Sequence, residues 1–298
     1  VALTKTEIVV GGITYDVSDR VDFLHLSDEG HGMAPSQRKF VSGPNQDGVT
    51  DVGFQLRPRI IAVEIGAFAD NPTEHYTFRD KLLRIFVPQE KSLLYRRTLP
   101  DGKVRQLDCH YAGELNFGSR GHRGDAMIDI VALKASDPTW WEPTLRTFTA
   151  GPSGTGELGF PIGFPIKFSS SIVNEGIAII YMGSWKAYPT IKLTGPMTNP
   201  IITNNEIVQS IKLLTTIASG VIVTIELTPG SKRIFDDAVP SNNLIGTLST
   251  DSDLSTFHVA APIDGTLNRT NNFQLSAGGM TPGTSEISIE FFNRYVGI

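Results

Sequence analysis

Apolar and polar side chains alternate with a period of two in a series of short runs, most regularly in the final third of the chain. Residues 188–195, 221–227 and 287–291 all follow this pattern, and turn chemistry follows each: Gly195-Pro196, Pro229-Gly230, and Asn293 with Gly297. Such runs bounded by Gly, Pro and Asn predict the antiparallel strands of a sandwich or barrel.

The N-terminal half is patterned differently. Residues 6–17 read as a hairpin around Gly11-Gly12, a pair suited to the positive φ angles of a tight turn. Residues 59–65 predict a strand, and residues 93–97 and 104–110 predict two more around Pro100-Asp101-Gly102. Residues 126–133 are so continuously apolar that they predict a buried strand. Only residues 75–86 carry helical spacing. Phe78, Leu82, Ile85 and Phe86 share one side, Leu83 sits at its edge, and Arg79, Asp80, Lys81 and Arg84 fill the remainder. Asn71-Pro72-Thr73 can cap the start and Pro88 stops the run. A lone amphipathic helix among strands is expected to close the open face of a sheet or barrel.

Two stretches break the periodicity. Residues 27–53 contain Gly30, Gly32, Pro35, Gly43, Pro44, Gly48 and Gly53 with few apolar residues between them. A structureless arm is expected, either a floppy surface loop or a segment ordered by a partner. Asp137, Pro138, Trp140, Trp141 and Pro143 interrupt the strands again, and residues 150–165 are dense in Gly and Pro, as in a connector. The expected domains are therefore 1–160 and 161–298.

Composition narrows the function. A length of 298 residues suits two domains, and 40 % apolar content supplies their cores. The 19 % charged content fits a subunit covered by partners as well as an ordinary β protein. A net charge of −5 argues against a surface that binds nucleic acid by neutralising phosphates, but it leaves room for a passage through which DNA slides. The single cysteine, Cys109, permits no internal disulfide and no cysteine zinc site, which points to folding in a reducing cytoplasm. Residues 1–30 lack a signal-peptide pattern, and no apolar run reaches the roughly 20 residues of a membrane helix, so no membrane insertion is expected.

Candidate chemistry is sparse. His25, His31, His75, His110, His122 and His258 are scattered. His25 and His31 lie among Asp22, Asp28 and Glu29, as a weak cation site or, more simply, a solvated acidic loop. Residues 118–124 are glycine-rich and basic, but lack the Lys-Ser/Thr of a phosphate loop and read better as a basic hairpin tip. No Gly-x-Ser-x-Gly elbow occurs, and no carboxylate pair is evident for glycoside hydrolysis. Trp140 and Trp141 suit a sugar-stacking platform or, preferably, an anchor where the chain leaves a domain. No catalytic residue, cofactor or metal is expected. A scaffold is favoured over an enzyme, with a carbohydrate-binding module as the alternative.

The order of motifs resembles one family, the distal tail proteins of long, non-contractile-tailed bacteriophages. The resemblance rests on Gly43-Pro44-Asn45-Gln46-Asp47-Gly48, on Arg57-Pro58-Arg59-Ile60-Ile61, and on Arg79, Leu82 and Leu83 of the helix. It continues through Asp137-Pro138-Thr139-Trp140, residues 172–176, residues 188–196 and the closing residues 285–295. It implies a mainly β chain: an N-terminal, tail-tube-like split β-barrel with one α-helix, then a C-terminal galectin-like antiparallel β-sandwich. It further implies a homo-hexameric ring in the virion tail tip, made in the host cytoplasm. Its partners would be the tail tube protein and tail-associated hub or fibre proteins, and DNA would pass its channel at ejection. The arm is expected to reach a neighbouring subunit, which makes Gly43, Pro44, Gln46, Gly48, Arg57 and Arg59 candidate interface residues. Asp137, Pro138, Trp140 and Trp141 are the candidate domain junction.

Overall fold

A computed structural model describes residues 4–18, 23–69, 71–117, 126–152, 172–263 and 265–298. The chain divides into two compact units. One comprises Val1–Pro143 together with Tyr295–Ile298, the other Thr144–Arg294. The chain thus leaves its first unit and comes back to it for its last four residues. Residues 118–124, and the expected connector from residue 153 to 165, lie outside the described residues.

The first unit is built from β1 (Lys5–Val10), β2 (Ile13–Asp16), β3 (Leu24–Glu29), β4 (Ser36–Val41), β5 (Thr50–Leu56), β6 (Arg59–Phe68), α1 (Pro72–Ile85), β7 (Leu93–Thr98), β8 (Val104–Tyr111), β9 (Ala126–Ala135) and β10 (Trp140–Trp141). Its main sheet runs β2-β1-β7-β8-β9-β6-β3, with β10 joined to β8. Among the described residues this order is an open path with β2 and β3 at its edges, and no closed barrel forms. Gly11 and Gly12 take φ of 58° and 85°, which lets β1 turn straight into β2.

Helix α1 begins where Asn71 Oδ1 accepts the Glu74 amide at 2.9 Å, with Pro72 in its first turn. Phe78, Leu82 and Ile85 are buried in one core with Ile61, Val63 and Ile65 of β6 and Leu107 of β8. The strand expected at 126–133 is present and longer, but it is not buried on both faces. Val131 and Leu133 point into the core, whereas Ile128 and Ile130 are exposed. On β6 the same split leaves Ile60 and Phe68 outside.

The second unit contains β11 (Arg146–Ala150), β12 (Ile172–Tyr181), β13 (Thr190–Thr194), β14 (Met197–Asn204), β15 (Gln209–Lys212), β16 (Thr216–Ile217), β17 (Ile222–Glu226), β18 (Arg233–Asp236), β19 (Val239–Asn243), β20 (Arg269–Gly278) and β21 (Glu286–Phe291). One sheet has the order β11-β21-β13-β17-β18-β19 and the other β12-β20-β14-β15, with β16 on β14. Every pairing between these strands is antiparallel. Ile191, Leu193, Ile225, Ile287 and Ile289 of the first sheet share one core with Ile179, Tyr181, Ile202, Phe273 and Leu275 of the second. That is a two-sheet sandwich whose inward residues follow the alternation in the sequence. The chain is therefore mainly β with a single α-helix among the described residues.

Candidate functional site: an arm and its root

The arm expected to be structureless is an antiparallel hairpin. Strands β4 and β5 pair from Ser36↔Leu56 to Val41↔Thr50 and join no other sheet among the described residues. Every residue of β4 is exposed, so neither face imposes an apolar alternation, and periodicity could not reveal the strand. An isolated two-stranded hairpin is marginal in water. Local bonds hold this one. Gln46 Oε1 accepts the Gly43 amide at 2.8 Å, while Gln46 Nε2 donates to Thr50 Oγ1 at 2.8 Å. Arg38 pairs with Asp51, and Asp51 Oδ1 also accepts the Gly53 amide at 2.9 Å beside a register shift between Lys39 and Phe40. Gly43, Pro44, Gln46 and Gly48 are thus the tip of the hairpin, and Gly48 adopts φ of 82°. Along the arm Met33, Phe40, Val41, Val49 and Val52 are all exposed; Phe40 is 55 % and Val52 56 % accessible.

The root of the arm is fixed. Arg57 is exposed, and its amide donates to Pro35 O at 2.7 Å, closing the hairpin's open end. Arg59 turns inward and is 1 % accessible, so it offers a neighbour nothing. Its Nε donates to Pro138 O at 2.9 Å, its Nη1 to Gly30 O at 2.5 Å and Gly32 O at 2.7 Å, and its Nη2 to Val296 O at 2.5 Å. The guanidinium lies 5.7 Å from the Trp140 ring centroid. Burial lowers its pKa below the ordinary arginine value, and the four carbonyls satisfy the desolvated charge. Ala34 N donates to Val296 O at 3.1 Å and Ile298 N to His31 O at 3.0 Å, so the returning segment is laced along the arm root. Gly30 has φ of 93°, and a Cβ there would lie 2.2 Å from Ile60 O; only glycine fits.

Trp140 is fully buried, against His31 and Tyr95, which removes it as a sugar platform. Trp141 Nε1 donates to Asp108 Oδ2 at 3.0 Å. Asp137 Oδ1 accepts from Thr139 N and Oγ1 at 3.1 and 2.7 Å, turning the chain at Pro138 so that its carbonyl meets Arg59. All four residues lie in the last stretch of the first unit before Pro143.

Among the described residues, which leave out Asp22, His25 and His31 surround the single carboxylate of Asp28 instead of lying in a solvated loop. Asp28 meets His25 Nε2 at 2.9 Å, His31 Nδ1 at 3.3 Å, Tyr95 OH at 3.2 Å, and Arg97. Burial works against the Asp28 charge, but the His25 hydrogen bond and the neighbouring cations hold its pKa below the usual value. Burial pushes His31 down to about 4, so its ring is neutral near pH 7. Arg97 already supplies the cation, and among the described residues no group of His, Cys, Asp and Glu is arranged to hold a metal ion.

Sequence reasoning missed the Arg59 node and the basic cluster around Tyr188 described below. Both depend on long-range backbone contacts that leave no local pattern.

Comparison with known proteins places this geometry. Residues 14–110 match the family model of the phage tail protein RIFT-related domain. Over 96 % of its length the chain superposes on 98 % of the SPP1 Dit (gp 19.1) protein, described as a paradigm of the hub adsorption apparatus in phages infecting Gram-positive bacteria, with a TM-score of 0.60 at 13 % identity. The phage P2 baseplate in its calcium-activated conformation aligns more loosely, covering 97 % of this chain and 98 % of that one at 10 % identity and a TM-score of 0.46. No curated protein matches by sequence. The family model is met over residues 14–110, and the likeness to SPP1 Dit shows the fold that the resemblance to distal tail proteins implies.

Proposed function

We propose, for a chain whose residues 14–110 match the phage tail protein RIFT-related domain and 96 % of which superposes on the SPP1 Dit fold, a structural hub role in a phage tail without catalysis. In this reading copies of the first domain close into a ring, six in number as the resemblance implies. The ring joins the tail tube to the tail-tip proteins and lets DNA pass at ejection.

The observation that carries the reading is a pair of uncovered apolar surfaces on one domain. The arm displays Phe40, Val41, Val49 and Val52, and the outer face of β3, β6 and β9 displays Leu26, Ile60, Phe68, Ile128 and Ile130. Leu26 and Phe68 lie over Gly66, which places all three strands' exposed residues on one face. Two different patches that cover each other between copies make a heterologous contact, which closes into a ring where its rotation completes a full turn and otherwise builds an open filament. Burying about 25 cal/mol per Å2 of apolar area offsets the ordering of the arm. A net charge of −5 suits a channel that DNA must leave without sticking.

Light scattering and negative-stain imaging of the purified chain, beside a Phe40→Asp/Val52→Asp variant, test this. The wild type is expected as a closed ring and the variant as a folded monomer. A monomeric wild type at high concentration, or a ring that survives both aspartates, overturns the reading.

A further inference from the structure

The second domain gathers two lysines and a histidine around a single tyrosine. Ala187 and Val259 exchange both backbone hydrogen bonds, at 3.2 and 2.8 Å, and turn their own side chains into the core. Lys186, Tyr188 and His258 flank these two residues and are half-buried, with Tyr188 packed against the edge of the same core. Lys186 Nζ lies 5.8 Å and Lys232 Nζ 5.6 Å from the Tyr188 ring centroid, and the His258 ring packs at 6.4 Å.

The cluster is braced from beneath. Lys232 donates to Leu254 O at 2.9 Å and also to Ser255 O. Asn204 Nδ2 donates to His258 O at 3.0 Å, and Asn271 exchanges hydrogen bonds of 2.7 and 3.0 Å with the Ala260 backbone. His258 Nδ1 donates to Thr256 O at 2.6 Å, which leaves Nε2 for a ligand.

No carboxylate pairs with Lys186, Lys232 or His258 among the described residues. Glu290, Asp251, Glu226 and Glu206 are taken by Lys192, Lys212, Arg233 and Arg269. Like charges held together raise the energy of the folded chain unless an anion compensates them. Burial, and then Lys186, lower the pKa of Lys232; burial also lowers that of His258. Two ammonium donors, joined by His258 once its Nε2 takes up a proton, with no guanidinium fork among them, suit a tetrahedral oxyanion better than a planar carboxylate.

We propose that Lys186, Lys232 and His258, gathered around Tyr188, form a binding site for a phosphate-bearing ligand. The site stands on side chains of the second domain alone and is independent of the ring reading. Its test is a titration of the full chain with inorganic phosphate, glucose 6-phosphate and glucose, followed by the His258 ring proton resonance. Both phosphates are expected to shift that resonance saturably and to raise the His258 pKa, while glucose leaves it unmoved. Lys186→Gln/Lys232→Gln is expected to weaken both phosphates by about tenfold or more, and Lys212→Gln to leave them unchanged. Equal affinities assign recognition to the phosphate alone, and tighter glucose 6-phosphate binding adds the sugar ring; either supports the site. No saturable shift with either phosphate, a shift that persists in the double variant, or an equal response to glucose overturns it.

Discussion

Arg59 Nη2 donates to the carbonyl of Val296 at 2.5 Å across 237 positions of sequence. The same guanidinium holds Gly30, Gly32 and Pro138. One buried side chain therefore ties together the arm root, the end of the first long segment and the returning C-terminal residues. The arm itself has no sheet to lean on, so the direction in which it leaves the domain is set at this node.

Replacing Arg59 by methionine keeps the bulk but leaves the carbonyls of Gly30, Gly32 and Pro138 without their donor and Val296 O with the Ala34 amide alone. The first domain is expected to lose about 3 kcal/mol or more of stability, and Arg59→Lys, with fewer donors and no fork, to lose an intermediate amount. Urea unfolding followed by the fluorescence change on exposing Trp140 measures both.

Gly297 packs on the arm root so closely that a Cβ would sit 2.7 Å from Gly32 O. Gly297→Val is expected to push the returning segment off and free the amides of Ala34 and Ile298, which bond to Val296 O and His31 O. Hydrogen exchange should then quicken at those two amides and along β4 and β5, leaving β13 and β17 of the second domain protected. Unchanged exchange at Ala34 contradicts the coupling.

Acid should loosen the first domain through the Asp28 cluster. His31 has its pKa lowered from 6.5 to about 4 by burial, so below 6.5 the unfolded chain binds the proton that the folded chain refuses. Stability therefore falls as pH drops from 6.5 towards 4. Asp28, whose folded pKa is also lowered, adds a loss in the same direction as pH falls through that value. Thermal melting of wild type against His31→Gln checks this, and the variant's melting temperature should depend less on pH over that interval.

In the second domain Tyr181 is fully buried; its hydroxyl donates to Trp185 O at 2.5 Å and accepts the Arg294 amide at 2.9 Å. Tyr181→Phe removes both of these hydrogen bonds and is expected to cost about 1–3 kcal/mol. Calorimetry should place that loss in the second domain's transition, with the first unaltered.

Much of the fold was legible because burial writes alternation into the sequence. Strands β1, β6, β7, β8, β13, β17 and β21 each carry one inward face, and α1 carries its stripe from Phe78 to Ile85. Reading β9 as wholly buried failed because Ile128 and Ile130 on its outer face are as apolar as Val131 and Leu133 on its inner one. Sequence alone does not separate a covered face from one kept for a partner. The arm's strands escaped notice for the opposite reason, since exposure on both faces leaves no period. Arg59 is a candidate interface residue in the sequence only because it follows an arm expected to reach a neighbour, and nothing nearby in sequence announces the carbonyls of Gly30, Gly32, Pro138 and Val296 that it meets. The tip residues Gly43, Pro44, Gln46 and Gly48 were legible as a turn but not as the end of a hairpin.

The central claim is that the arm of one copy covers the outer sheet face of the next. Cysteine cross-linking tests it most directly, because the native Cys109 is buried and leaves the background clean. A chain carrying both Val52→Cys and Ile128→Cys should oxidise into a ladder of linked copies that ends at a closed ring, while either single variant stops at chance dimers. A double variant that stays unlinked while assembled, or that links only within one copy, contradicts the account.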